Sequence, residues 1–450
     1  VDVDVAITTN AGNLSIDGDA DNAADTNDNV DVVTGLTLAS GGSLTLDATT
    51  GGIAGAVLTL NAKEGVTIND ALTTSGTLTV DADTDADDNT GTFTTAAAVS
   101  AGNNAISITA NDVALGSTLS SGSQSTTFTD SDNTGVGLGA TVVTDGLNLT
   151  GAELEKITAT GFEIATGGTV TVNGITAANS NNLSGTTTLD ATGPITFATG
   201  ASVFNLLAVE SDGGVAVNVD LSTDTGALTI DSDIDNNDAG TLSFIAGVTV
   251  ASANTLTLDS AATAGITGAG ALDLDAAEGI TLNNNLTTAG PTDLVADSDA
   301  DDGTGTLTLS GGVTLNTTNS ALTITAEDLD LSGTAINTGS ASATITDSDG
   351  GGIGLGDTAS TNGLDVSTAE LQKITATGLE FVSGGNIDVD NVSAASTANV
   401  SGTLTLDSAA DINVANNAIV ITNALALEAD NQVDVDVAIT TNAGNLSIDG

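Results

Sequence analysis

Aspartates two residues apart in short loops are the only side chains in this sequence arranged for chemistry. They are Asp17, Asp19 and Asp21 in DGDAD; Asp83, Asp85, Asp87 and Asp88 in DADTDADDNTG; and Asp130 and Asp132 in TDSDNTG. The later set is Asp231, Asp233 and Asp235 in DSDIDNNDAG; Asp297, Asp299, Asp301 and Asp302 in DSDADDGTG; and Asp347 and Asp349 in TDSDGGG. Carboxylates at i, i+2 and i+4 converge when the chain curls, and a hard cation such as Ca²⁺ takes roughly six to eight oxygen ligands. The run from Asp297 to Gly303 opens like an EF-hand loop, but its twelfth position is Thr308, where that loop needs a bidentate Glu. An EF-hand is therefore excluded, and a Ca²⁺ site of another kind is expected. Solvated acidic turns are the competing reading, since Asp suits turns and confers solubility.

Composition favours the cation. The chain has 59 acidic residues against three cations, a formal charge of −56. Such a balance opposes compaction by self-repulsion, which bound cations relieve. With only Lys63, Lys156 and Lys373 to neutralise phosphates, nucleic acid is not an expected partner, and anionic membrane surfaces repel the chain. No apolar run is long enough to span a bilayer, so membrane insertion is not expected. No signal peptide is present, and any targeting segment is expected outside this stretch.

Enzymatic chemistry finds little to work with. His and Cys are absent, which removes zinc sites and His- or Cys-based nucleophilic centres. Glycoside hydrolysis needs paired acids in one cleft with aromatic sugar platforms. Here the acids are spread along the chain, and the seven aromatics are all Phe. Glu153/Lys156 and Glu370/Lys373 read as i, i+3 ion pairs at a corner of the fold, each worth little. Sequons such as Asn148-Leu-Thr and Asn182-Leu-Ser are what an Asn- and Thr-rich chain contains by chance.

The elements that must carry these loops are repeats. Val1–Gly18 and Val433–Gly450 are identical at an offset of 432 residues. Within that period Gly146–Ile164, GLNLTGAELEKITATGFEI, matches Gly363–Phe381, GLDVSTAELQKITATGLEF, at 217. Glu64 matches Glu278, and Asp83 matches Asp297, both at 214. The organisation expected is a first half-repeat over 1–216, a second over 217–432, and the start of the next period at 433–450. Short runs alternate apolar residues with Thr, Ser or Asp: LTL at Leu44, VLTL at Val57, TLTV at Thr77, ISI at Ile106, LTI at Leu228, LTL at Leu256, LDL at Leu272, LTI at Leu322 and TLTL at Thr403. Alternation at period two is a strand with one buried face, and Gly, Asn and Asp clusters between the runs are turns. Ala, Val, Ile and Leu without large aromatics fill only a narrow core. The expected fold is all-β, a parallel β-solenoid of tandem repeats. Disorder is opposed by the alternating runs, and a string of β-sandwiches by the short strands and missing aromatics. The AELEKIT segment at Ala152 and AELQKIT at Ala369 are expected as a turn, a short helical cap or an irregular corner.

The GVGLG at Gly135 and GIGLG at Gly352, each followed by a leucine-bearing strand, AEL and ITATG, resemble the filamentous haemagglutinin-like exoproteins of two-partner secretion. Lys156 and Lys373 stand where that pattern usually has Arg. The resemblance implies a right-handed parallel β-helix, export from a diderm bacterium to the cell surface or medium, and a role in adhesion or extracellular structure. Two functions follow: a fibre assembled from consecutive repeats or copies of itself, or the stalk of a giant adhesin that holds a binding domain toward a host or neighbouring cell. An ice- or mineral-binding face needs regular T-x-T rows, which the drifting offsets oppose.

Overall fold

Period-two alternation fixes which side chains enter the core. In Leu58–Ala62 the side chains of Leu58, Leu60 and Ala62 are buried, while Thr59 and Asn61 are half-exposed. A computed structural model describes residues 1–21, 28–48, 51–86, 90–300, 303–332, 335–360 and 363–450. Asp87, Asp88, Asp301 and Asp302 lie outside the described residues. The chain divides into two compact units, Val1–Val215 and Ala216–Gly450.

In the first unit the strands visit three parallel ladders in a fixed order. Asn29–Val32, Leu36–Ser40 and Leu44–Asp47 are followed by Gly52–Gly55, Leu58–Ala62 and Val66–Ile68, and then by Leu72–Thr74, Leu78–Asp81 and Thr92–Thr95. Each strand pairs in parallel with the one three positions later. Register stacks like on like: Leu38, Leu60, Val80, Ile108, Phe128, Ile164, Leu189 and Val209 form one fully buried column. Each such side chain contributes on the order of 1.5–3 kcal/mol by leaving water.

The second unit winds likewise. Leu228–Asp231, Leu242–Phe244 and Val248–Ser252 are succeeded by Leu256–Asp259, Ile266–Gly268 and Leu272–Ala276 in the same three ladders. Its matching column runs Val250, Leu274, Leu294, Ile324, Ile345, Phe381, Leu406 and Leu427. All nine runs singled out in the sequence fall on strands, with Val57 and Thr77 just outside theirs, and all seven Phe are buried. The fold is thus all-β, built on long parallel sheets.

Corners are closed by buried hydroxyls at strand ends. Ser211 donates Oγ–H to the Gly214 carbonyl at 3.0 Å and accepts the Gly213 N–H at 3.1 Å. Ser252 bonds the Thr255 carbonyl in the same way at 2.8 Å. These bonds satisfy backbone groups that a sharp bend would otherwise strand.

The AEL segments form single helical turns, Gly151–Leu154 and Thr368–Leu371, each opened by a capping box from Thr150–Glu153 or Ser367–Glu370. The expected Glu–Lys ion pairs do not form, and Lys63–Asp85 is the salt bridge found among the described residues. Instead Glu153 accepts the Leu115 N–H at 3.1 Å, and the Lys156 ammonium donates to the carbonyl of the same Leu115. In the second unit Lys373 donates to the Leu331 carbonyl at 2.5 Å. A long side chain reaches a neighbouring strand's bare carbonyl more usefully than a flexible partner one turn away in water.

Candidate metal centre

Parallel stacking of strand ends assembles the acidic loops. In the first unit Leu78–Asp81, Ile106–Ala110 and Ser125–Asp130 are successive rungs of one ladder. Their ends place Asp83, Asn111, Asp130 and Asp132 at one corner. In the second unit Thr292–Val295, Leu322–Ala326 and Ala343–Asp347 do the same for Asp297, Glu327, Asp347 and Asp349.

The two corners share a framework. Asp130 Oδ2 accepts the Gly135 N–H at 2.9 Å and the Thr166 hydroxyl at 2.7 Å; Asp347 Oδ2 accepts the Gly352 N–H and the Ser383 hydroxyl, both at 2.9 Å. Asp83 accepts the Ser131 hydroxyl, and Asp297 the Ser348 hydroxyl. Gly91 and Gly305 sit at φ +95° and +102°, where a Cβ would stand 2.3 Å from the Cβ of Asp83 or Asp297. Only glycine fits that approach.

They differ in charge. The first corner holds Asn111, whose amide donates to Asp132 at 2.8 Å, and Lys63, whose Nζ lies 3.1 Å from Asp85. Aligning the halves puts Glu327 in place of Asn111 and Ala277 in place of Lys63. The second corner therefore gains a carboxylate and loses a cation. One oxygen from each of Glu327, Asp347 and Asp349 lies within 4.8 Å of the others. Glu327 is 9% exposed and Asp347 4%, while Asp349 is exposed. Glu327 Oε2 and Asp347 Oδ1 are buried without a hydrogen-bond partner. Burial, then the hydrogen bond and charge of Asp349 and the charges of Asp347 and Asp297, push the Glu327 carboxyl up to about 7. Contact between two carboxylates is a hydrogen bond only when one carries a proton, which is why Asp349 raises its neighbour.

No protein-family profile, curated protein or solved structure matches this chain. The site is read from its own residues.

The remaining aspartates satisfy their own loops. Asp17 accepts the Asp19 N–H at 2.8 Å, with Asp19 buried and Asp21 exposed. Asp231 accepts the Asp233 N–H at 3.1 Å, Asp233 accepts that of Asp238 at 3.1 Å, and Asp235 takes the Asn237 amide at 2.7 Å. Asp299 is exposed beside Asp297. Among the described residues, Glu327, Asp347 and Asp349 are the one set of three carboxylates brought this close. Convergence joins Asp347 and Asp349, i and i+2 of one loop, with Glu327 from the end of the preceding rung. Glu327 was outside the Asp-x-Asp pattern; the signal for it lies in its alignment with Asn111. Chemically the corner offers hard oxygen donors, the set that suits Ca²⁺.

Proposed function

We propose that the chain is a repeating, non-catalytic segment of an extracellular fibre, wound as a right-handed parallel β-helix and stiffened by Ca²⁺ in its acidic loops. The observation that carries this reading is the double seating of one eighteen-residue segment. As Val433–Gly450 it pairs with the preceding strands: Val433 with Ile412, Ile439 with Ile419, Leu446 with Leu425 and Ile448 with Leu427. As Val1–Gly18 it pairs with the following ones: Val3 with Val32, Ile7 with Leu38, Leu14 with Leu44 and Ile16 with Leu46. The two copies use opposite edges of the same coil. Merged into one, they thread apolar columns such as Leu427, Ile448 (the counterpart of Ile16) and Leu46 without a break.

The partners of this reading are consecutive periods or further copies of the chain, with a host or neighbouring cell surface as the adhesive alternative. The resemblance to filamentous haemagglutinin-like exoproteins, and with it a bacterial cell-surface location, belongs to the same proposal.

Electron microscopy of a chain carrying two consecutive 432-residue periods tests it. The expected result is one unbroken filament with an axial spacing of about 4.8 Å. Separate bodies joined by a break at each period would overturn the fibre, and a bare filament ending in a distinct head would make it a stalk.

A further inference from the structure

We propose that the second unit holds one site-bound calcium ion between Glu327, Asp347 and Asp349, and that the first unit replaces that ion with Lys63 and the Asn111 amide. The inference deepens the cation part of the fibre reading and rests on it only for what the ion stabilises.

An acidic corner alone does not make a site, since most surface carboxylates are simply hydrated. Here Glu327 Oε2 and Asp347 Oδ1, on side chains about nine-tenths or more buried, find no donor. Asp85, Asp130 and Asp132 of the first corner also keep one such oxygen each, so what sets the second corner apart is Glu327, which closes a triad of carboxylates within 4.8 Å. A buried carboxylate oxygen without a donor is costly, and a like-charged neighbour adds to the cost. Either a proton or a cation must make up the difference.

The internal duplication supplies a control within the same chain. Backbone framework, glycine approaches and hydroxyl donors are the same in both corners, so the charge set is the variable. Where Asn111 and Lys63 are present, the protein provides a donor to Asp132 and a positive charge to Asp85. Where they become Glu327 and Ala277, both are withdrawn from one corner together. Two changes of the same sign in one place fit an external cation taking over the role. Carboxylates from two successive rungs, one of them exposed, leave room for water in an oxygen shell, as Ca²⁺ tolerates and the stricter octahedron of Mg²⁺ does not favour.

Isothermal titration calorimetry with CaCl₂ at about 0.15 M salt, where diffuse counterion binding is screened, tests the proposal on the whole chain. One saturable site is expected. Glu327→Gln, Glu327→Asn (the residue the first unit uses) and Asp349→Asn should each weaken it by at least tenfold, and Ala277→Lys should do the same. Asp130→Asn, in the first unit, should leave it unchanged. Thermal unfolding in chelator confirms that the variants fold, and the exposed Asp349 keeps one variant clear of the core. No saturable binding by the parent chain, unchanged binding by Glu327→Gln and Asp349→Asn, or an equal loss in Asp130→Asn would overturn it. None of these outcomes touches the filament experiment, so the site and the fibre fail separately.

Discussion

Asn111 donates its side-chain amide to Asp132 at 2.8 Å, and 216 residues later Glu327 brings a carboxylate to the matching corner, within 4.8 Å of Asp347 and Asp349. One exchange of amide for carboxylate, on a common backbone framework, replaces a donor to the neighbouring aspartate with a further carboxylate.

The exchange should work in reverse. Replacing Asn111 with Glu and Lys63 with Ala in the first unit is expected to create a second calcium site. Calorimetric stoichiometry would rise from one ion per chain to two. A stoichiometry unchanged in a folded variant would mean that the framework shared by the two corners does not suffice to hold the ion.

Acidification should stabilise the calcium-free protein. Burial, reinforced by neighbouring carboxylates, raises Asp190 and Asp275 above the ordinary carboxylate range. Folded-state values above the unfolded ones mean that the native chain binds more protons through that interval. Stability is therefore greatest below the ordinary carboxylate value and falls as pH rises toward the raised values. The melting temperature in chelator is expected to drop as pH rises above the ordinary carboxylate value of about 4, opposite to a protein held by acid–base ion pairs. A melting temperature that climbs over the same range would contradict this account.

Lys156→Met should cost about 1–2 kcal/mol by leaving the Leu115 carbonyl without its charged donor. Urea unfolding measures it, and Lys156→Arg should recover part of the loss. Equal destabilisation by both substitutions would mean that the contact contributes nothing through its charge.

Phe128 meets Phe162 edge-on, with ring centroids 5.7 Å apart and planes at 71°. Each ring lies fully buried in a narrow core filled mostly by aliphatic side chains. Phe128→Ala is expected to cost about 3–5 kcal/mol, because flanking rungs locked by their ladders cannot collapse into the space. Phe128→Leu should cost less, as read from the same unfolding curves.

Much of this architecture is written locally. Leu58, Leu60 and Ala62 alternate with Thr59 and Asn61, so strand and buried face are both legible, and every run picked on that pattern falls on a strand. The short AEL turns are legible as well, because Thr150–Glu153 and Ser367–Glu370 carry their own capping boxes. So is the loop character of the aspartates. What alternation cannot state is which rung lies beside which. Leu78 pairs with Leu58 on one side and Ile106 on the other, across connections of different length. Loop insertions set that register, and register decides every contact between rungs. The partners of Glu153 and Lys156, 38 and 41 residues away at Leu115, were therefore out of reach, and an i, i+3 pair stood in their place. Glu327 was missed for the same reason: nothing near it in sequence marks it as a ligand, and it becomes one only when parallel stacking sets the end of its rung beside Asp347. The sequence by itself determined strands, turns, repeats and an acidic charge in need of compensation, because these follow from local pattern and composition. Tertiary structure alone decided that Glu327 joins the local Asp347–Asp349 pair, because that depends on how many residues each winding takes to return.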